Sequence, residues 1–396
     1  MQNSITQHQM KSVSNKLGDV DIERFSISSF NAFRRNRFTW YLRYIADFKS
    51  RWPMEGAWRG NAIESAVMRS LMDPVKDSLT MEKLVSDAIN VYQREVVSHL
   101  LKVYPHGLEH FTDEKIEQLM MAMDKTQFPL ALKSIVDVLY KHNINEDLPE
   151  YVIPDSEDYS KYLKKVEKQY PLIESAVPYA VEYFKSIPGV PNYQTRLLHH
   201  GFELGIPVLG FTDFEYTEFG IDLKTSGSIP KKWEDVSLDN KCQAAFYSVH
   251  QKKPWKIVYV GKLNQDQIKE NLITKLYNDG LSSKEILVRY KNLTGTGTTE
   301  PTVSKILDVT TKPGWEIHKP IKEFILPESE TAELNEINRF TGMSILQCLK
   351  SSRRDNLLDD MKYFCVGDLD HMFLDKDQSR EISKVWGFNL PTSEEE

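Results

Sequence analysis

Residues 210–226 read GFTDFEYTEFGIDLKTS, and this stretch decides the fold. It contains two short runs rich in aromatic and β-branched residues, a composition typical of β-strands. The letters EFG separate the two runs, and Gly220 gives the chain the backbone freedom that a tight reversal requires. The stretch therefore predicts a β-hairpin of two antiparallel strands.

Three charged side chains of this hairpin are predicted to lie together. Side chains two residues apart on a strand point to the same face, so Asp222 and Lys224 share one face while Ile221 and Leu223 share the other. Asp213 lies nine residues before Asp222, on the preceding strand of the hairpin. The pattern therefore predicts two carboxylates and one ammonium group at an edge or an end of the sheet.

These groups suit the hydrolysis of phosphodiesters. The reaction adds negative charge to a phosphate that is already anionic, and a hard cation such as Mg²⁺, bound by carboxylate oxygens, offsets that charge. Asp213 and Asp222 can supply those oxygens. A bound metal also lowers the pKa of a water ligand towards neutrality. Lys224 has three roles open to it: orienting that water, helping to deprotonate it, or stabilising the developing oxyanion.

The charge balance excludes a protein coated in positive charge. Among 396 residues, 57 are acidic and 50 are Lys or Arg, which gives a net charge of −7. A local basic groove is still allowed, because binding to phosphate depends on where the Lys and Arg residues lie. The apolar share of 40% is enough for a substantial buried core.

The cysteines and the hydropathy favour a reducing, cytoplasmic location. Cys242, Cys348 and Cys365 are far apart in the sequence, so neither a disulfide framework nor metal-ligand spacing is visible. No run of about 18 apolar residues occurs, which predicts that the chain does not span a membrane. Residues 1–21 are polar and mixed in charge, so we expect a disordered tail there rather than a signal peptide.

The hydrophobic periodicity divides the chain into a helical part and a strand-rich part. Over 75–190 the apolar residues recur at helical spacing, and the breaks carry Pro, Gly, Asp and Asn. From 194 onward short strand-like runs alternate with glycines, and a helix over 239–250 precedes another strand. We therefore expect an α/β fold, with a central mixed β-sheet flanked by helices and a large helical insertion over 75–190.

Two helices outside the hairpin carry further candidate residues. Gly60 and Glu64 are four apart in WRGNAIESAV and so lie on one helix face. Glu64 is an acid in a small and apolar setting, from which it could reach the metal. Gln243 and Tyr247 are likewise four apart, in QAAFY, on the helix after the hairpin. An amide and a phenol on one face can hold a phosphate or a nucleotide.

The order of these motifs resembles the RecB-like branch of the PD-(D/E)XK nucleases, which includes phage exonucleases. That branch shows a helix with a G-x-x-x-His or Glu pattern, then G-x-x-D, then (D/E)-x-K, then Q-x-x-x-Y. The matching positions are Gly60 with Glu64, Gly210 with Asp213, Asp222 with Lys224, and Gln243 with Tyr247. The resemblance covers roughly 25–70 and 195–260. It implies a PD-(D/E)XK core in which these acidic, lysine, glutamine and tyrosine residues form the catalytic site.

Two departures from the branch bear on the cofactor. Asn36 stands where iron–sulfur members have a cysteine, and only Cys365 lies late in the chain, so we expect no iron–sulfur cluster. Glu64 stands where many members have a histidine, and this harder oxygen ligand favours Mg²⁺ or Mn²⁺. The resemblance therefore implies Mg²⁺ or Mn²⁺ as the cofactor, bound by Asp213, Asp222 and Glu64.

Residues 265–309 have the pattern of a helix-turn-helix insertion. The runs G-x-S-x-x-E-I from Gly280 and T-V-x-x-I-L from Thr302 resemble resolvase-type DNA-binding domains. The third helix would then place Thr302, Ser304 and Lys305 near DNA. The linker NLTGTGTTEP is longer than the usual tight turn, and a helical insertion that packs on the nuclease is the alternative.

Arg34, Arg35 and Arg37, together with Trp40, form another candidate contact with DNA. The arginines could hold the phosphate backbone, and the indole could stack on a base. The alternative interpretation is an ordinary solvated helix face.

We therefore expect one α/β nuclease domain over 22–264 and 310–390 that hydrolyses DNA with Mg²⁺ or Mn²⁺. The resemblance implies an exonuclease in DNA recombination, repair or phage DNA processing, for which a recombination or annealing protein would be a fitting partner. The alternatives are a structure-selective endonuclease and a non-cutting DNA-binding protein that uses residues 265–309.

Overall fold

The structure is a computed structural model that describes most of the chain. The described residues are 24–37, 40, 44, 55–72, 79–103, 127–143, 163–263, 265–315 and 317–351. The tail expected over 1–21 and the part of the expected nuclease domain after 351 lie outside them. Parts of the helical layer expected over 75–190 do so as well.

The fold is α/β, with a six-stranded mixed β-sheet flanked by helices. This confirms the expected fold class at that level. The strands are β1 (Phe25–Ser26), β2 (Asn192–His199), β3 (Val208–Glu215), β4 (Gly220–Thr225), β5 (Trp255–Val260) and β6 (Ile321–Ile325). The stretch GFTDFEYTEFGIDLKTS contributes most of β3 and all of β4, which pair antiparallel.

Helices precede, separate and follow the strands. They include α1 (Ile27–Arg35), α2 (Glu55–Met72), α3 (Met81–Val103), α4 (Phe128–Asn143), α5 (Tyr170–Ser186), α6 (Leu238–Gln251), α7 (Gln265–Asn278), α8 (Ser283–Thr294), α9 (Glu300–Thr310) and α10 (Glu328–Ser351). Within the described ranges, none of the helices is both long and apolar enough to cross a membrane.

Strand β3 is the point at which the sheet opens. Along one edge β3 pairs with β2 over nearly its full length. Its other edge is shared, because β1 pairs in parallel with Val208 and Leu209 while β4 pairs antiparallel with Phe214 and Glu215. Residues 210–213 lie between these two partners, and no described strand covers that edge of them. A short gap therefore interrupts the sheet between β1 and β4.

Each face of the sheet has its own apolar core. On the first face, α2, α3, α4 and α5 pack with Ile221 and Leu223 of β4. On the second face, α1, α6 and α10 pack with Ile257 of β5. Because Ile221 and Leu223 point to the first face, the alternation along β4 turns Asp222 and Lys224 towards the second face, where α6 lies.

Helices α7, α8 and α9 form a small unit between β5 and β6, the three-helix unit (residues 265–310). Its separate core contains buried residues of all three helices: Ile273, Leu276, Ile286, Tyr290 and Val303. Helix α8 begins with a capping box in which Glu285 accepts a hydrogen bond from the Ser282 N–H at 2.8 Å. The side chain of Asn271 binds the backbone of His318 through two hydrogen bonds, at 2.7 and 2.9 Å. These bonds fasten the unit to the segment that leads into β6.

Candidate active site

The site lies where β3 and β4 separate. The two strands pair at only two positions next to the turn. Beyond them the Asp213 carboxylate takes the place of a backbone partner, since its Oδ2 accepts a hydrogen bond from the Leu223 N–H at 2.7 Å. The carboxylate is thereby held in the gap between β1 and β4.

The opposite edge of β4 is fully paired, which holds Asp222 and Lys224 in a fixed register. All six residues of β4 pair in parallel with β5. The Asp222 side chain is completely buried, and Lys224 Nζ lies 2.7 Å from its Oδ2. The Lys224 side chain keeps 23% of its surface exposed. The ammonium group is therefore held at a buried carboxylate, while part of the side chain reaches the surface.

Hydrogen bonds connect Lys224 with α6 and with the segment beside the gap. The Lys224 ammonium donates to Gln243 Oε1 at 3.1 Å, and the Gln243 amide donates to the Tyr247 hydroxyl at 2.9 Å. That hydroxyl donates in turn to the Phe211 carbonyl at 2.6 Å. The sequence pattern allowed Tyr247 to hold a phosphate or a nucleotide. In the structure Tyr247 is buried, so its ring presents no surface to a nucleotide. The glutamine and the tyrosine hold the lysine instead.

Two glycines allow helices to approach this part of the sheet closely. A Cβ atom at Gly210 would lie 2.6 Å from the Phe246 ring and 2.7 Å from the Tyr247 ring. A Cβ atom at Gly60 would lie 3.3 Å from Thr225 Oγ1, at the end of β4. The lack of a side chain at each position therefore brings α6 and α2 close to the strands that carry the charged residues.

Helix α2 adds a third carboxylate. Glu64 Oε1 accepts a hydrogen bond from the Gln194 side-chain amide at 2.7 Å, and burial and the charge of Glu64 raise the pKa of the Tyr193 phenol. Gln194 lies opposite Asp213 in the β2–β3 pairing, and the charge of Glu64 contributes to the raised pKa of Asp213. Neither Tyr193 nor Gln194 was predicted, because a strand pattern does not show which carboxylate its side chains will meet.

Glu64, Asp213, Asp222 and Lys224 form one group, the charged cluster, and burial dominates its electrostatics. Burial raises the pKa of Asp213 well above its usual range, and repulsion from the other two carboxylates adds to this. Burial also raises the pKa of Asp222 and of Glu64. For Lys224, burial disfavours the charged form, but the attraction of the three carboxylates outweighs it and raises the pKa.

The charged cluster offers oxygen ligands that fit a hard divalent cation. Both side-chain oxygens of Asp222 are buried; Oδ2 pairs with the Lys224 ammonium at 2.7 Å, and Oδ1 has no hydrogen-bond partner among the described residues. A buried carboxylate oxygen without a partner is unfavourable, and a divalent cation would supply one. Asp213 and Glu64 add oxygens of the kind that Mg²⁺ and Mn²⁺ prefer.

The carboxylates are nevertheless not grouped as a finished metal site. Across the part of the chain that the structure describes, no group of three or more His, Cys, Asp or Glu side chains could hold a metal ion as it stands. Asp213 Oδ2 binds the Leu223 N–H, and Asp222 pairs with Lys224. A cation that binds here would therefore compete with the Lys224 ammonium for the Asp222 carboxylate.

The structure contradicts the interpretation of Trp40 and Arg34 as contacts with DNA. Trp40 is 1% exposed, and its indole N–H donates to Ser29 Oγ at 2.7 Å, so the ring is not free to stack on a base. The Arg34 side chain is 13% exposed and pairs with Asp239 at 3.2 Å, and it also donates to Asn338 at 3.1 Å. Both residues instead stabilise the packing around α1.

Arg35 and Arg37 are more exposed than Arg34. The Arg35 side chain is 50% exposed and also pairs with Asp239, while Arg37 lies over the Phe33 ring at 5.2 Å. Asp239 therefore binds two arginines of α1 from the first turn of α6, where the helix dipole favours an acidic residue. This contact was not predicted because its partners are 204 and 205 residues apart in the sequence.

Thr302, Ser304 and Lys305 belong to α9 of the three-helix unit and not to the charged cluster. Ser304 and Lys305 are exposed, and Thr302 is half-buried. Val303, between them, packs in the core of the unit. The side chains predicted to contact DNA therefore lie on the outer part of α9.

Comparison of the chain with family models, with curated proteins and with solved structures returned no match in any of the three.

Proposed function

We propose that this chain is a metal-dependent deoxyribonuclease of the PD-(D/E)XK type. The observation that carries the proposal is the charged cluster beside the gap in the sheet, where Asp213 and Asp222 come from adjacent strands and Lys224 pairs with the buried Asp222 carboxylate. The carboxylate oxygens suit a hard cation. The Lys224 side chain keeps part of its surface exposed, so the charged cluster lies close to the protein surface.

Each member of the charged cluster has a role in this proposal. Asp213, Asp222 and Glu64 would hold Mg²⁺ or Mn²⁺, which supplies a water of lowered pKa and offsets charge on the phosphate. Lys224 provides a hydrogen-bond donor with a positive charge. It would orient the attacking water and stabilise the negative charge that develops on the phosphate oxygens.

Gln243 and Tyr247 are positioning residues rather than contacts with DNA. The carbonyl of Gln243 accepts from the Lys224 ammonium, and the amide end of the same side chain is held by Tyr247. A lysine side chain has many rotamers, and fixing its end reduces the entropy lost when the water and the phosphate are brought together. The glutamine therefore directs the ammonium towards the reaction.

The proposal predicts that cleavage requires both a divalent cation and Lys224. The experiment incubates end-labelled single- and double-stranded DNA with Mg²⁺ or Mn²⁺, with and without chelator. Three proteins are compared: the native chain, Lys224→Ala, and Lys133→Ala as a control for an exposed lysine. We expect Lys224→Ala to lower the rate by about 100-fold or more, while Lys133→Ala cleaves as the native chain does.

Cleavage at the native rate in chelator, or in Lys224→Ala, would contradict the proposed site. The sizes of the end-labelled products also separate the two modes of cleavage. Stepwise shortening from one end would indicate the exonuclease that the resemblance favours. Discrete internal products from branched or flapped DNA would indicate a structure-selective endonuclease instead.

A second candidate function is DNA binding without cleavage through the three-helix unit. The observation that favours it is the separate core of this unit, which leaves Ser304 and Lys305 of α9 exposed. DNA that shifts in a gel but stays intact with Mg²⁺ and Mn²⁺ would support this function over hydrolysis. Lys305→Ala would then weaken binding and reduce its dependence on salt, whereas Lys133→Ala would not.

A further inference from the structure

Gln194 has an unusual backbone conformation inside β2. Its φ angle is +54°, in the left-handed region that residues other than glycine adopt at a cost in free energy. The other two non-glycine residues with positive φ in the described ranges, Glu203 and Lys252, are not in strands. Strain of this kind persists where the surrounding structure holds it, and it is common at functional sites.

The location of Gln194 connects it with the charged cluster. Tyr193 pairs with Phe214 and Thr195 pairs with Thr212, so Gln194 lies opposite Asp213, but this pair is missing from the β2–β3 ladder. The strained residue is thus directly across from a carboxylate proposed to bind metal.

The conformation also changes which side chains can reach Glu64. Successive side chains on a regular strand point to opposite faces, so Tyr193 and Gln194 would normally diverge. Here Tyr193 packs with Phe214 on the first face, yet the Gln194 amide donates at 2.7 Å to Glu64 Oε1 of α2, which packs on the same face. The left-handed residue therefore turns the Gln194 side chain towards a face from which regular alternation would direct it away.

We infer that Gln194 positions Glu64 as a ligand of the divalent cation. This inference rests on the proposed function, because it assigns Glu64 to the metal. A hydrogen bond from a neutral amide fixes the orientation of a ligating carboxylate without adding charge, as outer partners of metal ligands commonly do. Gln194 is therefore a positioning residue, and its strained backbone is retained because it directs the amide towards Glu64.

Two substitutions separate this role from a purely structural one. Gln194→Asn keeps an amide and tolerates the left-handed backbone, but its side chain is one methylene shorter and does not reach Glu64. Gln194→Gly removes the side chain and relieves the strain. Asn192→Ala, at an exposed position two residues earlier on the same strand, is the control.

The experiment measures Mn²⁺ binding to the metal-free full chain by electron paramagnetic resonance, and thermal unfolding of the same samples. We expect both Gln194 variants to bind Mn²⁺ at least about 10-fold more weakly than the native chain. We expect the melting temperature of Gln194→Gly in chelator to be no lower than that of the native chain. Asn192→Ala should match the native chain in Mn²⁺ affinity.

Three outcomes would overturn the inference. Native Mn²⁺ affinity in both Gln194 variants would show that the contact with Glu64 does not position a ligand. Weaker binding accompanied by a lower melting temperature in Gln194→Gly would show a structural role only. If the native chain does not bind Mn²⁺, the proposed metal site is wrong, and the inference about Gln194 is wrong as well.

Discussion

The charged cluster and the three-helix unit are built in opposite ways. In the charged cluster, three carboxylates and one ammonium group lie beside the gap in the sheet, and burial raises the pKa of every carboxylate. The three-helix unit encloses apolar side chains from each helix, and Ser282 and Glu285 cap the start of α8. The first arrangement lowers stability and concentrates reactive groups. The three-helix unit gains stability from its buried apolar core, and only its surface is available for binding.

The largest expected effect of a substitution is on cleavage by the charged cluster. Asp213→Asn keeps the shape of the side chain but removes a negative oxygen ligand, so we expect metal-dependent cleavage to fall by at least about 100-fold. Single-turnover cleavage at saturating Mg²⁺ measures the effect. Asp137→Asn on α4, where the acid is exposed, is the control and should cleave normally. Equal cleavage rates for Asp213→Asn and Asp137→Asn would show that Asp213 does not take part in catalysis.

The same substitution is expected to stabilise the metal-free protein. The folded-state pKa of Asp213 lies well above its unfolded value, which is about 4. As the pH rises, the unfolded chain therefore releases this proton before the folded chain does. Stability falls as the pH rises from about 4 through the folded-state pKa. An asparagine side chain does not titrate in this pH range. Asp213→Asn should therefore lose less stability than the native chain as the pH rises above about 4.

Urea unfolding in chelator between pH 4 and pH 8 measures this difference. Added Mn²⁺ should raise the stability of the native chain by mass action and raise that of Asp213→Asn much less. Identical slopes of stability against pH in the two proteins would show that the Asp213 carboxylate is not destabilising in the folded state.

A core substitution in the three-helix unit should act locally. Val303→Ala leaves a cavity among the buried side chains of all three helices, and we expect a loss of about 2 kcal/mol within the unit. Hydrogen exchange should show faster exchange in α7, α8 and α9, with the sheet unchanged. Cleavage of DNA that is already bound should continue at the native rate. Loss of protection throughout β3, β4 and β5 would show that the unit and the sheet unfold together.

The smallest expected effect concerns the cap of α8. Ser282→Ala removes one half of the capping box and should lower the stability of the unit by about 1 kcal/mol. Ser283→Ala, one residue later, removes a hydroxyl that is not the cap and is the control. Equal effects on hydrogen exchange within α8 would mean that the cap contributes nothing specific.

Local patterns were sufficient to predict part of the site. The hairpin, and the shared face of Asp222 and Lys224, depend on a turn and on the alternation of a strand, which are properties of neighbouring residues. The helix that carries Gln243 and Tyr247 was also evident from spacing alone. The α/β class with a mixed sheet is confirmed, because the order of helical and strand-like runs restricts the layers that can form.

Burial and long-range partners could not be predicted in the same way. Trp40 was wrongly assigned to DNA because an aromatic residue in a basic run is compatible with either a surface or a core, and only the packing of α1 decides between them. The pairing of Arg34 and Arg35 with Asp239 joins segments about 200 residues apart. No local rule determines such a contact.

The sequence by itself determined the chemistry of this protein's candidate site: two acids and a lysine at strand spacing on a hairpin, with a third acid on a helix. Only the tertiary structure decided that β1 and β4 leave a gap beside Asp213, that Asp222 faces α6, and that a strained Gln194 reaches Glu64. The physical reason is that side-chain alternation follows from a few consecutive residues. Burial, pKa and the ends of strand pairing depend on segments that meet only after the chain has folded.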